Sequence, residues 1–201
     1  MMAPIILTIL SYLLGSISAG FLVGSSSGVD VRSAGSGNIG ATNVARTLGW
    51  KKGLVTLLAD VAKGCLPVLA AHLLDLGAAA AASAGLAAFA GHLYPVFLGF
   101  KGGKGVATAA GVYLGTMPLG LLALLGVFLV AVLGSRRVSL ASMAAAVAAP
   151  VVAWGLSSPV ETVWLTLVIA VLVVMRHREN IRRLMAGEEP RFELRRRSSS
   201  G

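Results

Sequence analysis

Charge is what this chain has least of. Acidic residues number eight in 201, charged residues together make up 12%, and hydrophobic residues reach 56% with a mean hydropathy of +0.84. A soluble domain carries charge on about a quarter of its residues. So little charge cannot coat a globule of this size, which excludes a water-soluble enzyme. A single cysteine, Cys65, inside an apolar run excludes a disulfide scaffold. Aromatics are 6% and do not interleave with basic residues, so no nucleic-acid partner is expected. No Cys or His cluster has metal-ligand spacing and no Asp-rich pair suggests Mg²⁺, so nothing asks for a metal or another cofactor. What is present is long apolar sequence with a net charge of +9. That combination predicts an integral membrane protein whose basic excess reports orientation and attraction to anionic lipid.

The apolar runs predict an all-α, polytopic helical bundle. No charge precedes Asp30 and there is no Lys/Arg start, so residues 4–24 are expected to be a first span and not a cleavable signal. Charge-free runs follow over 76–100, 105–135, 138–160 and 162–175, with 53–74 apolar apart from Asp60 and Lys63. Crossing the hydrocarbon takes roughly 20 residues of helix. The run 105–135 is broken at Met117–Pro118, which allows one tilted span or two short ones. Two spans, near 105–116 and 119–134, place 25–52, 101–104, 135–137 and 176–201 on one side. Those segments hold sixteen of the seventeen basic residues. The positive-inside rule therefore favours seven spans, with the N-terminus outside and the C-terminus cytoplasmic. Residues 105–116 are too few for an ordinary crossing and are expected to form a short or broken span shielded by neighbours. One membrane domain is expected over 1–192, with a disordered tail over 193–201.

Three polar clusters fall on the cytoplasmic side of that topology. In the first, Gly35-Ser36-Gly37-Asn38-Ile39-Gly40-Ala41-Thr42-Asn43, glycines alternate with neutral donors between Arg32 and Arg46. Backbone N–H groups freed by glycine can converge on an anion, and Ser36, Asn38, Thr42 and Asn43 add donors. A helix starting near Thr42–Asn43 would favour the same anion and place Arg46 one turn along. A solvated turn-rich loop also accounts for this segment. The second cluster, Lys101-Gly102-Gly103-Lys104-Gly105 leading to Thr108, has the form of a small phosphate cradle before an apolar helix. It is not a Walker A loop, because Gly99 lies one residue too close and Gly105 follows the lysine. A tight helix–helix turn explains part of it. In the third, His177, Asn180, Ile181 and Leu184 share one helical face, while Arg178 and Arg182 fan toward headgroups. A basic membrane anchor explains that segment equally well. Within the second span, Asp60 and Lys63 are expected to pair, since an unpaired charge there would be expensive. His72 and the Ser139–Ser142 pair suit helix packing, and Ser142 also stands among the candidate substrate contacts.

At these residues the chain resembles the bacterial acyl-phosphate:glycerol-3-phosphate acyltransferases, the PlsY family. The strings GSGNIGATN at 35–43, GHLYPVFLGFKGGKGVAT at 91–108 and HRENIRRLMAGEE at 177–189 are similar to its three signature segments, and SYLLGSISAG at 11–20 and DVAKG at 60–64 fit as well. Many members carry Pro where this chain has Ser18, a departure outside the three segments. The resemblance implies transfer of a fatty acyl group from acyl phosphate to the sn-1 hydroxyl of glycerol 3-phosphate, giving lysophosphatidic acid and phosphate. It implies the two substrates and membrane lipids as partners, a monomer or weak dimer, and a multi-pass protein of the bacterial cytoplasmic membrane. Ser36, Arg46, Lys104, His177 and Asn180 are expected around glycerol 3-phosphate and the reacting carbonyl. Backbone N–H groups of Gly102, Gly103, Lys104 and Gly105, with Lys101 and Thr108, are expected to hold a phosphate. The thioester-dependent H-x4-D pattern is absent, since Gly77, Phe97 and Arg182 stand five residues beyond the three histidines. An organophosphate transporter and a non-catalytic lipid-binding scaffold remain the rival classes. The transporter predicts internal repeats, which are not evident.

Overall fold

A computed structural model describes residues 2–191, and the expectation of a disordered tail lies outside that range. Among the described residues the structure is all-helical. The elements are α1 (Met2–Ser16), α2 (Ala19–Ser25), α3 (Ala41–Leu48), α4 (Trp50–Leu73), α5 (Gly77–Leu93), α6 (Val106–Thr116), α7 (Pro118–Ser135), α8 (Val138–Gly155), α9 (Val160–Arg176) and α10 (Arg178–Met185), with one 3-10 turn at Val96–Leu98. Five stretches are long and apolar enough to cross a membrane: Met2–Ser25, Trp50–Leu73, Gly77–Leu98, Pro118–Ser135 and Val138–Gly155. A sixth is α9 taken with α10 across a 57° bend. The short apolar helix α6 completes the seven expected segments.

The boundaries have local causes. The first span breaks after Ser16, and Ser18 caps α2 by accepting the Phe21 N–H at 3.2 Å. Serine thus starts the second helical piece through a side-chain acceptor. Helix α6 stops at Met117 because Pro118 disfavours helical geometry in the residue before it, while its own fixed φ suits the first position of α7. The α9–α10 bend falls at His177.

Small residues set the packing around α5, whose sequence GAAAAASAGLAAFAGHL is buried among α1, α4, α6 and α9. Between apolar helices in lipid the attraction is close van der Waals contact, which small side chains permit. The tightest case is α4 against α6. A Cβ on Gly64 would strike the Thr108 carbonyl, and one on Gly111 would strike the Val61 carbonyl. Backbone therefore packs on backbone, which shields the short α6. Phe89, Leu93, Val112, Ile169 and Val173 form the fully enclosed core, whereas α7 turns Leu119, Leu122, Leu129 and Leu133 outward as a lipid-facing surface does.

The expected intramembrane pair is present. Lys63 Nζ lies 2.9 Å from Asp60 Oδ1 and also donates to the Ile17 carbonyl at 2.8 Å, one of the acceptors freed where α1 breaks from α2. His92 Nδ1 sits 3.6 Å from the same Asp60 oxygen, and all three side chains are buried.

Candidate active site

The loop after α2 is organised by Asn43, not left open to solvent. Its amide oxygen accepts the Ser36 N–H at 2.8 Å, and its amide nitrogen donates to the carbonyls of Val31 (3.0 Å), Ala34 (3.0 Å) and Asn38 (2.8 Å). The Asn38 side chain in turn accepts the Gly40 N–H at 2.8 Å. Asn43 is buried and its amide is engaged at both ends, so it shapes the loop from beneath. Ser36, Gly35, Gly37 and Thr42 are exposed above it. Helix α3 opens at Ala41 with Gly40 before it, and Arg46 projects exposed from its last turn. Arg32 is already engaged: it pairs with Asp30 at 2.8 Å and lies over the Phe21 ring at 4.8 Å. Its hydrogen bonds hold the exposed Asp30 carboxyl down to about 2.

The second loop is pinned from two sides. Gly103 N–H donates to the His92 carbonyl at 3.1 Å, while Arg176 donates to the carbonyls of Gly102 (2.6 Å) and Gly103 (3.0 Å). Only glycine fits here. A Cβ at Gly103 would meet His92 Nε2, and Gly105 has a φ of +80° with Phe89 where its Cβ would stand. The Gly103 N–H expected to face an anion is thus occupied internally. The N–H groups of Gly102, Lys104 and Gly105 have no protein partner among the described residues. Lys101 is exposed and its side chain makes no hydrogen bond among the described residues, and Thr108 is fully buried with an unpartnered hydroxyl.

Lys104 joins the second and third clusters. Its ammonium donates to Asn180 Oδ1, 76 residues away in sequence. Asn180 Nδ2 then donates to Glu189 Oε1 at 2.6 Å, which also accepts from Ser139 Oγ at 2.6 Å, while Arg183 Nε donates to Glu189 Oε2 at 2.8 Å. One carboxylate therefore fixes α8, α10 and the Asn180 amide together. Burial pushes the Glu189 carboxyl up, but hydrogen bonds from Ser139, Asn180 and Arg183 outweigh it and hold the group below its ordinary value. Lys104 is pushed below the usual lysine range, chiefly by burial. Arg183 and Arg46 push the same way, and Glu189 and Glu179 oppose them. Arg46 is thus within electrostatic reach of Lys104. Among the described residues no hydrogen bond joins Ser36 to these groups; its N–H is held by Asn43 within the first loop.

His177 is buried at the α9–α10 bend, where its Nδ1 lies 2.8 Å from the Val173 carbonyl. A carbonyl can only accept, so Nδ1 carries the proton and Nε2 keeps its lone pair. Burial lowers its pKa to about 4, with Lys104 adding to the drop and the Val173 hydrogen bond opposing it. The ring is neutral at physiological pH.

An apolar cleft opens beside this cationic centre between α6, α7, α8 and α9. Val106, next to Gly105, and Val173, one turn before His177, bring it to the polar loop, and Phe128 and Ile169 add to its walls. Ser142 lines it too, but its hydroxyl bonds back to the Val138 carbonyl at 2.8 Å. His72 is exposed, not packed between helices.

Sequence reading left Glu189, Arg176, Ser139 and His92 without roles at the site. Glu189 lies within the third signature string, and its acidity amid arginines was the available signal. Arg176 carried none, because its partners are backbone oxygens.

The family model described as glycerol-3-phosphate acyltransferase matches residues 5–187. The chain is 52% identical to the glycerol-3-phosphate acyltransferase of Geobacter sulfurreducens over 193 residues, covering 96% of this chain and 100% of that protein. It is 45% identical to the protein of the same name from Aquifex aeolicus, covering 95% of this chain and 100% of that one. Two crystal structures of PlsY, an integral membrane glycerol 3-phosphate acyltransferase, share the fold. The glycerol 3-phosphate form superposes with a TM-score of 0.91 at 44% identity, and the lysophosphatidic acid form with 0.89 at 43%. Each covers 95% of this chain and is itself covered to 96%. Matches of this extent place the chain in the glycerol-3-phosphate acyltransferase family.

Proposed function

We propose that the protein transfers a fatty acyl group from acyl phosphate to the sn-1 hydroxyl of glycerol 3-phosphate, releasing lysophosphatidic acid and inorganic phosphate. The observation that carries this reading is the Lys104–Asn180 contact, which joins two signature segments beside an apolar cleft. The cleft takes the acyl chain, so the carbonyl arrives at Lys104. Lys104 and the free N–H groups of Gly102, Lys104 and Gly105 hold the donor's phosphate and stabilise charge that develops there. Arg46, with Ser36 and the donors of the 35–43 loop, takes the phosphate of the acceptor. The basic ends face the cytoplasm and the N-terminus lies outside, as the distribution of basic residues favours.

Acyl phosphate is a mixed anhydride with a good leaving group, so positioning and charge stabilisation suffice without an acyl-enzyme. The acceptor's C1 oxygen forms the ester bond, the carbonyl carbon–oxygen bond to phosphate breaks, and the hydroxyl proton leaves on the departing phosphate. His177 is a poor rival for that proton. Its pKa of about 4 lies roughly two units below the second ionisation of a phosphate monoester, near 6. Nε2 of His177 and Asn180 orient the hydroxyl instead.

Purified protein in detergent, given acyl phosphate and glycerol 3-phosphate, is expected to release phosphate. Activity that requires a sealed membrane would point to transport, and none at all to a scaffold. Replacing His177 by Ala is expected to lower kcat about 100-fold, within the range of a lost orienting or acid–base group. The pH–rate profile should keep its shape around pH 4, where His177 titrates. Loss of a limb there in the variant would identify histidine as the base and overturn the substrate-assisted route.

A further inference from the structure

The inner end of the apolar cleft is closed on the α6 side by one large side chain. Helix α6 runs away from the Lys104–Asn180 contact, and α7 runs back toward the end where Ser139 meets Glu189, so the two are antiparallel about Met117. Counted from that turn, Tyr113 lies four residues back on α6 and Leu121 four residues on along α7, at matching depth. Val106 and Phe128 lie eleven residues out on either side, at the mouth. With a helical rise of 1.5 Å per residue, mouth and inner end are about 10 Å apart.

Between those levels the α6 wall consists of Val106, Ala109 and Ala110, all small, and then Tyr113 interrupts it. Tyr113 is 4% exposed, and its hydroxyl has no hydrogen-bond partner among the described residues. The bulk of its ring, not the hydroxyl, is what closes the α6 wall at that level.

We infer that Tyr113, with Leu121 beside it, is the floor of the acyl-chain cleft and sets the chain length the enzyme prefers. This rests on the acyl-transfer reading above. An acyl chain occupies the cleft because its mouth adjoins Gly105 and so opens directly onto the loop that holds the reacting group. A chain that reaches the floor must bend or withdraw its carbonyl, and either lowers kcat/KM for longer donors.

The test compares dodecanoyl with octanoyl phosphate as donors for the purified full-length protein. Tyr113→Ala is expected to raise the ratio of their kcat/KM values about tenfold, in line with the worth of a few methylenes in an apolar pocket. Tyr113→Phe keeps the ring and should leave the ratio unchanged. Leu121→Ala should shift it in the same direction as Tyr113→Ala, and it carries the test if the tyrosine variant fails to fold. An unchanged ratio in alanine variants that still turn over, as a cleft open sideways to lipid would give, overturns the floor alone. Absence of turnover by the unsubstituted protein with either donor overturns the acyl-phosphate reading, and this inference falls with it.

Discussion

Lys104→Met is expected to reduce kcat by about 100- to 1000-fold, the usual effect of removing one preorganised charge-stabilising donor, while leaving the protein as stable as before or more so. The two halves of that result have one cause. Burial holds Lys104 below the ordinary lysine pKa, so its charged form is disfavoured by the fold. The sign follows: between the lowered folded value and the unfolded one, the unfolded chain binds more protons, so this group makes stability rise with pH. Methionine fills similar volume and removes the desolvated charge. Phosphate-release kinetics and a thermal melt on the same preparation read both halves. A melt that collapses together with activity would make Lys104 a structural cation and undo its assignment to the site.

Asp60→Asn is expected to destabilise the protein by about 3–5 kcal/mol, the magnitude found when one partner of a buried ion pair is removed. Asp60 and Lys63 are 2% and 6% exposed and lie 2.9 Å apart, so the asparagine variant would leave an ammonium without a counter-charge inside the bundle. The Ile17 carbonyl, at 2.8 Å from Lys63, gives a partial substitute acceptor. Adding Lys63→Gln to Asp60→Asn should recover part of the loss, because the double variant buries no net charge. Thermal inactivation of Asp60→Asn, Lys63→Gln and the double variant in one detergent gives the cycle. A single variant that loses less than about 1 kcal/mol, the value of an exposed pair, would show that the two side chains reach water.

The polar cluster beneath the KGGKG loop also shows where inference from the chain stopped. That Asp60 and Lys63 pair followed from their spacing within an apolar helix. That His92 joins them, and that its carbonyl holds Gly103, depends on how α4 meets α5 and how the loop folds back. Likewise the glycine-rich string at 35–43 is legible as a loop able to present donors. Yet Asn43, one of its polar residues, turns inward and satisfies four backbone groups, which only the folded loop reveals. The bend at His177 was not legible either, because a continuous helical face fits the third segment as well as two helices at 57° do.

Composition and periodicity alone determined the environment and the scaffold. Water cannot solvate so many apolar residues, lipid cannot satisfy open backbone groups, and long unbroken apolar runs lack the alternation of a barrel strand, so helices crossing a bilayer were the outcome. The distribution of Lys and Arg marked the loops that share one end, and their glycines and donors marked the chemistry. Tertiary structure alone decided which of those groups are available. Arg32 is taken by Asp30, the Gly103 N–H by His92 and the Asn43 amide by its own loop, while Lys104 meets Asn180 through a network centred on Glu189. A donor's availability depends on what stands within 3 Å or so of it, and in a bundle those neighbours come from helices far apart in the chain.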